Sequence, residues 1–180
     1  MYDRDLHHRR SVRLCGYDYS QAGAYFVTIC AQNKDCLFGE IVNGEMKLND
    51  AGQIVTKTCD DLAGRFPSIA LDAFVVMPNH VHGIITIVVA QFIAPKDRDA
   101  VNPGAINRAP TVGEIVRTFK AVSTRMVRRN GLSVFSWQRN YYEHVIRGEG
   151  DLESIREYVT NNPARWVEDH ENPGRAEVQG

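Results

Sequence analysis

Two short apolar runs, residues 74–77 and 81–89, are rich in β-branched side chains and separated by little more than Pro78-Asn79. Runs of this length and composition on either side of a turn dipeptide predict an antiparallel strand pair, central in its sheet and well buried. His80 and His82 stand just past the turn, in the segment MPNHVHGIITI. Successive side chains of a strand leave on opposite faces, so both histidines share one face while Val81 turns away. Two imidazoles so placed can converge on one ion. They also fit surface histidines bonded to nearby backbone, and a third ligand decides between the two, because a catalytic metal needs further donors and an open position.

The other elements follow from periodicity and turn chemistry. The first residues, MYDRDLHHRRSVRL, are polar and basic, and read as an N-terminal arm over 1–20. Residues 25–30, 36–42 and 45–48 are strand-like, the last two flanking Asn43-Gly44, a dipeptide that favours a tight hairpin. Asp50 with Gln53 resembles a capping box, and Ile54, Val55, Thr58 and Leu62 recur at helical spacing to about Gly64. Residues 91–110 lose periodicity and carry several prolines, which predicts a flexible or functional loop. Thr111 and Glu114 form a capping box ahead of an apolar stripe from Val112 to Met126. After Gly131, WQRNYYEHVIR reads as extended and DLESIREYVTNNPARW as a closing helix with Leu152, Ile155 and Val159 inward. Residues 167–180 are polar and predict a loosely held tail, leaving 21–166 as the domain.

Strands, helix, strand pair, then two helices suit an α+β fold of ferredoxin-like type, an antiparallel sheet with helices packed on one face. No glycine-rich strand-to-helix turn supports a doubly wound nucleotide fold. The chain's 180 residues fit one domain, and its four cysteines form no CxxC pair. The cysteine usage and the start of the chain predict a reducing cytoplasm. The longest apolar run, 84–90, is strand-sized and predicts no membrane insertion. A net charge of −1 announces no global attraction to nucleic acid, but charge is clustered locally. Arg117, Lys120, Arg128 and Arg129 share a side of the capped helix that is either solvated or tracks a phosphate backbone.

Tyr158 and Asn162 lie four residues apart on the closing helix, so they project from one face a turn apart. A hydroxyl nucleophile beside an ion held by two histidines and an amide oxygen is an arrangement for attacking a phosphodiester. Taken singly, a tyrosine on an amphipathic helix is a core-edge aromatic and an Asn before Pro163 a helix terminator. The conjunction carries the chemical reading.

Over about residues 10–170 the sequence resembles the REP-associated tyrosine transposases, within the single-tyrosine HUH transposases. The resemblance rests on His80-Val81-His82, on Trp137-Gln138-Arg139, and on Tyr158-Val159-Thr160-Asn161-Asn162-Pro163-Ala164-Arg165-Trp166. It implies that Tyr158 is the nucleophile and that His80 and His82 bind a divalent ion. Asn162 stands where related insertion-sequence enzymes carry a glutamine ligand, with an arm one methylene shorter. A neutral ligand set of this kind suits Mg²⁺ or Mn²⁺ in function, although zinc would bind more tightly. The implied substrate is single-stranded DNA bearing a hairpin, cut through a 5′-phosphotyrosine bond, by a monomer in preference to a homodimer. Trp137, Tyr141 and Tyr142 offer stacking surfaces for unpaired bases, although aromatics beside a sheet are more often core; Arg139 is a further cation, and His144 either approaches the site or hydrogen-bonds within the sheet, the latter favoured. The competing readings are a hairpin-binding protein that does not cut, and a zinc-stabilised domain.

Overall fold

The computed structural model describes residues 21–88 and 109–177. The basic arm over 1–20 lies outside them, as does all of the 91–110 loop except Ala109 and Pro110. Strand β1 (Gly23–Cys30) is followed by a hairpin of β2 (Gly39–Val42) and β3 (Glu45–Leu48). Asn43 and Gly44 both take positive φ, 54° and 78°, as the two-residue hairpin turn requires. Helix α1 (Asp50–Asp60) is capped by Asn49, one residue earlier than its sequence suggests, because the Asn49 side chain accepts from the Gly52 amide. A short α2 (Leu62–Arg65) completes the stretch. Then come β4 (Ile69–Val76), β5 (His80–Ile87), α3 (Val112–Arg129), β6 (Tyr142–Val145) and α4 (Glu149–Asn161). Thr111 and Glu114 close their capping box reciprocally at the start of α3. Among the described residues no helix is long and apolar enough to cross a membrane.

The main sheet runs β4-β5-β1-β6 and every pairing is antiparallel. Taking β1, α1, β4, β5, α3 and β6 in turn gives a βαββαβ chain with the outer strands contributed last by each half, the ferredoxin-like arrangement. Strand β5 is internal, and all but one of its residues are buried. That explains why it reads as a nearly continuous apolar run instead of alternating.

The two faces of the sheet differ. Tyr25, Val27 and Ile29 of β1 and Val81, Ile85 and Ile87 of β5 pack with Val55, Ile115 and Phe119 of α1 and α3 in the main core. The alternate residues Phe26 and Ile84 meet Ile155 and Val159 of α4. So α1 and α3 share one face and α4 crosses the other, which a linear order of elements does not distinguish. The smaller apolar contact of α4 is supplemented at the sheet edges. Arg156 donates to both Asp72 oxygens on β4, at 2.8 and 2.6 Å. Asp151, in the first turn of α4, accepts from the Arg147 amide at 2.9 Å and meets His144 Nε2 of β6 at 3.1 Å.

The C-terminal segment departs from a loose tail. Residues Pro163–Glu168 and Pro173–Glu177 form 3₁₀ turns, and Asp169 and Glu171 between them are buried. The backbone tightens because Asp169, Asn172 and Arg175 amides each donate three residues back, and the Glu171 amide donates to Asp169 Oδ1.

Candidate metal and nucleophile site

Strand register sets the site. Thr28 lies opposite His82 and Cys30 opposite His80, while Val75 flanks His82 from β4. Both histidines stand on one face, as their spacing requires; it is the face that α4 covers, and both are fully buried. Their Nε2 atoms are 2.9 Å apart.

The outer nitrogens are held by neighbours that the turn and β1 supply. Asn79 is wholly buried and its Nδ2 donates to the carbonyls of Lys34, at 3.0 Å, and Glu171, at 2.7 Å. Its Oδ1 is thereby the acceptor that faces His80 Nδ1 at 2.8 Å. This places the proton of a neutral His80 on Nδ1 and turns the Nε2 lone pair into the site. On the other ring, Thr28 Oγ1 contacts His82 Nδ1 at 2.9 Å.

The third member was not among the residues singled out from sequence. Asp169 Oδ2 lies 3.8 Å from the Nε2 atoms of both His80 and His82, and the three residues form a cluster able to hold a metal ion. Burial works to raise the Asp169 carboxyl, but His82, His80 and the Glu171 amide outweigh it and hold the group well below the usual carboxylate range. Oδ2 is buried with no hydrogen-bond partner. The amide oxygen of Asn162 is likewise buried and unpartnered. Orphaned acceptors of this kind are costly to bury, by about 1–3 kcal/mol each. A carboxylate oxygen and inward imidazole lone pairs are a donor set for a cation, and the residues present fit a divalent metal. No pattern in a polar stretch marks Asp169; the prior hint is Pro163, which ends α4 and lets the chain turn back.

Tyr158 completes the arrangement. It is 39% exposed, and its hydroxyl lies 3.3 Å from His82 Nε2. Phe26 orients both groups, stacking on the His82 ring at 5.4 Å and meeting the Tyr158 ring edge-on at 5.9 Å. Asn162, at the end of α4, follows Tyr158 by one turn on the same face. Beyond His80, the partly exposed Trp166 ring sits 6.1 Å away.

The remaining candidates are distributed elsewhere. Arg117, Arg128 and Arg129 are exposed on α3 and Arg139 on the loop that follows it. Lys120 Nζ donates to the carbonyls of Gln138, Arg139 and Asn140, and burial lowers its ammonium to about 8. Arg128 Nε donates to the Phe135 carbonyl at 2.7 Å. Trp137 is 7% exposed in the main core, its Nε1 donating to Ser123 Oγ, so its ring has no face open to a base. Tyr141 donates to Glu143 Oε2. His144 Nε2 meets Asp151 Oδ2 of α4 at 3.1 Å, a contact from the sheet to the helix and not one within the sheet.

No protein-family model matches the chain. An uncharacterized protein of Haemophilus influenzae is 45% identical over 171 residues, spanning 93% of this chain and 95% of that protein. A solved structure of a REP-associated tyrosine transposase bound to a REP hairpin superposes with a TM-score of 0.55 at 21% identity, covering 83% of this chain and 72% of that one. At that identity the likeness is one of fold. The chain belongs to the family of the Haemophilus protein, and its buried His-His-Asp cluster is set in the fold that the hairpin-bound transposase also adopts.

Proposed function

We propose that the protein is a metal-dependent single-stranded DNA endonuclease and strand transferase, a transposase-type enzyme that cuts near hairpins with Tyr158 as nucleophile. The observation that carries this reading is the Tyr158 hydroxyl 3.3 Å from His82 Nε2, at the rim of a buried cluster holding unpartnered acceptors. The transposase of similar fold was solved on a REP hairpin, which supports DNA of that class as substrate.

His80, His82 and Asp169 would hold the ion, with Asn162 as a further oxygen donor. A divalent cation bound there supplies positive charge that lowers the pKa of a nearby phenol and steadies the charge developing on phosphate oxygens. Mg²⁺ or Mn²⁺ suits a site that mixes carboxylate, amide and imidazole donors. The chain's own contribution is placement. Strand β5 and the Asn79 and Thr28 contacts fix the histidines, and α4 carries the phenol to them. The Tyr158 oxygen attacks the scissile phosphorus, the bond from phosphorus to O3′ breaks, and the phenolic proton leaves to solvent at the exposed ring. The products are a 5′-phosphotyrosine and a free 3′-hydroxyl after protonation. The covalent bond conserves the energy of the broken one, so rejoining needs no nucleotide. Because nucleophile and histidines come from one chain, a monomer is sufficient, and the proposed compartment is the cytoplasm.

The test is incubation with hairpin-bearing single-stranded oligonucleotides and Mg²⁺ or Mn²⁺, followed by denaturing electrophoresis. A covalent adduct from the wild type that is absent from Tyr158→Phe is the expected result. Binding without any adduct would instead assign a hairpin-binding protein that does not cut.

A further inference from the structure

The turn that follows β1, residues Gln32–Lys34, has an unusual backbone. Asn33 and Lys34 take positive φ in succession, 60° and 58°. Asparagine tolerates that left-handed conformation and glycine adopts it freely, but a lysine there is uncommon. Such strain persists where surrounding contacts fix the residue. At Lys34 those contacts lead to the C-terminal segment that brings Asp169 to the histidines.

The Lys34 carbonyl accepts from Asn79 Nδ2 at 3.0 Å, the same nitrogen that donates to the Glu171 carbonyl. Its side chain reaches that segment directly. Nζ lies 2.9 Å from Glu171 Oε2 and donates to the His170 carbonyl at 3.3 Å. The partners differ in exposure, 42% for the Lys34 side chain and 6% for that of Glu171. A carboxylate so buried is costly without a cation beside it, so the Lys34 ammonium favours the inward position of Glu171.

From that position Glu171 holds Asp169. The Glu171 amide donates to Asp169 Oδ1 at 2.6 Å, while Oδ2 of the same carboxylate faces the Nε2 atoms of His80 and His82, 3.8 Å from each. A chain of contacts therefore runs from Lys34 through Glu171 to Asp169. Asn79, which binds both Lys34 and Glu171, also meets His80 Nδ1 at 2.8 Å. One small network thus bears on two members of the His-His-Asp cluster.

We infer that Lys34 is a positioning residue of the metal site, seating Asp169 against His80 and His82 through its ion pair with Glu171. The inference rests on the metal reading above and adds a residue that acts on the ion only through another. The Lys34 charge by itself repels a cation. Neutralising Lys34 therefore separates two accounts by sign, because loss of repulsion tightens metal binding whereas loss of seating weakens it.

The test uses the full chain and two neutral variants, Lys34→Gly and Lys34→Asn, both suited to positive φ, so that the turn is kept and urea denaturation should show little loss of stability. Calorimetry with Mn²⁺ should give affinities weaker by about three- to tenfold in both. In metal-free protein, hydrogen exchange at the Glu171 amide should speed up while the amides of β1 and β5 stay protected. Lys34→Arg, which keeps the cation, should restore both readouts to within about twofold of wild type. Unchanged or tighter Mn²⁺ binding in the neutral variants would overturn the role and leave the metal reading standing. Unchanged exchange at the Glu171 amide would overturn it as well. A rise in exchange across the whole sheet would assign Lys34 to the fold at large and not to the site. If the wild type binds no Mn²⁺, the metal reading falls and the positioning role falls with it.

Discussion

The two faces of the sheet are made from the same strands and are put to opposite uses. Odd-numbered residues of β1 and β5 enter the large core beneath α1 and α3, and even-numbered ones enter a smaller apolar patch and the His-His-Asp cluster beneath α4. The first face holds stability, in rings and branched chains such as Ile85, Ile115 and Phe119. The second buries Thr28, His80, His82, Asn162 and Asp169, polar groups that weaken a core unless each finds a partner. A rigid apolar face is what allows the other to carry orphaned acceptors.

The sharpest break in that comparison is Tyr158→Phe. It should abolish the covalent DNA adduct while leaving the melting temperature unchanged, since the ring contacts with Phe26 and His82 need no hydroxyl. A large loss of stability would mean that the site face carries the fold as well. On the opposite face, Phe119→Ala should cost about 3–5 kcal/mol in urea denaturation, with Mn²⁺ affinity per folded molecule preserved. Loss of metal binding in the folded fraction would show that the faces are not independent.

Asn79→Ala tests how the site is held. Freed of its Nδ1 acceptor, His80 should bind Mn²⁺ about 10–100-fold more weakly by calorimetry, a cost expected of groups that orient a ligand. Asp169→Ala should weaken the same isotherm, and unchanged affinity would remove Asp169 from the ligand set. The smallest effect lies at the edge of α4. Asp72→Asn removes a partly exposed ion pair and should cost at most about 1 kcal/mol. The Arg156 hydrogen bond lowers the Asp72 carboxyl from its ordinary 3.8, so the unfolded chain takes up the proton first. The stabilisation is full above that value and fades as pH falls through the folded one. Chemical denaturation of wild type and variant should therefore differ at pH 7 and converge under strong acid.

Much of this was legible before any coordinates. The β4–β5 pair, the common face of His80 and His82, the Asn43-Gly44 hairpin, the Thr111–Glu114 capping box and the one-turn offset of Tyr158 and Asn162 all follow from local periodicity. Of the two readings of Trp137, stacking surface or core, the structure takes the core; an aromatic between polar residues gives no sign of which way its segment faces. Its burial follows from the bridge to Ala31, a contact more than a hundred residues away in sequence.

The amino-acid order by itself determined which side chains share a face, since strand and helix repeats depend only on backbone geometry within a few residues. Tertiary structure alone decided that α4 covers the histidine face, that Asn79 fixes the His80 tautomer, and that Asp169 returns to the cluster. Each of those depends on where segments distant in sequence come to rest, through 3₁₀ turns and long-range hydrogen bonds that have no period to read.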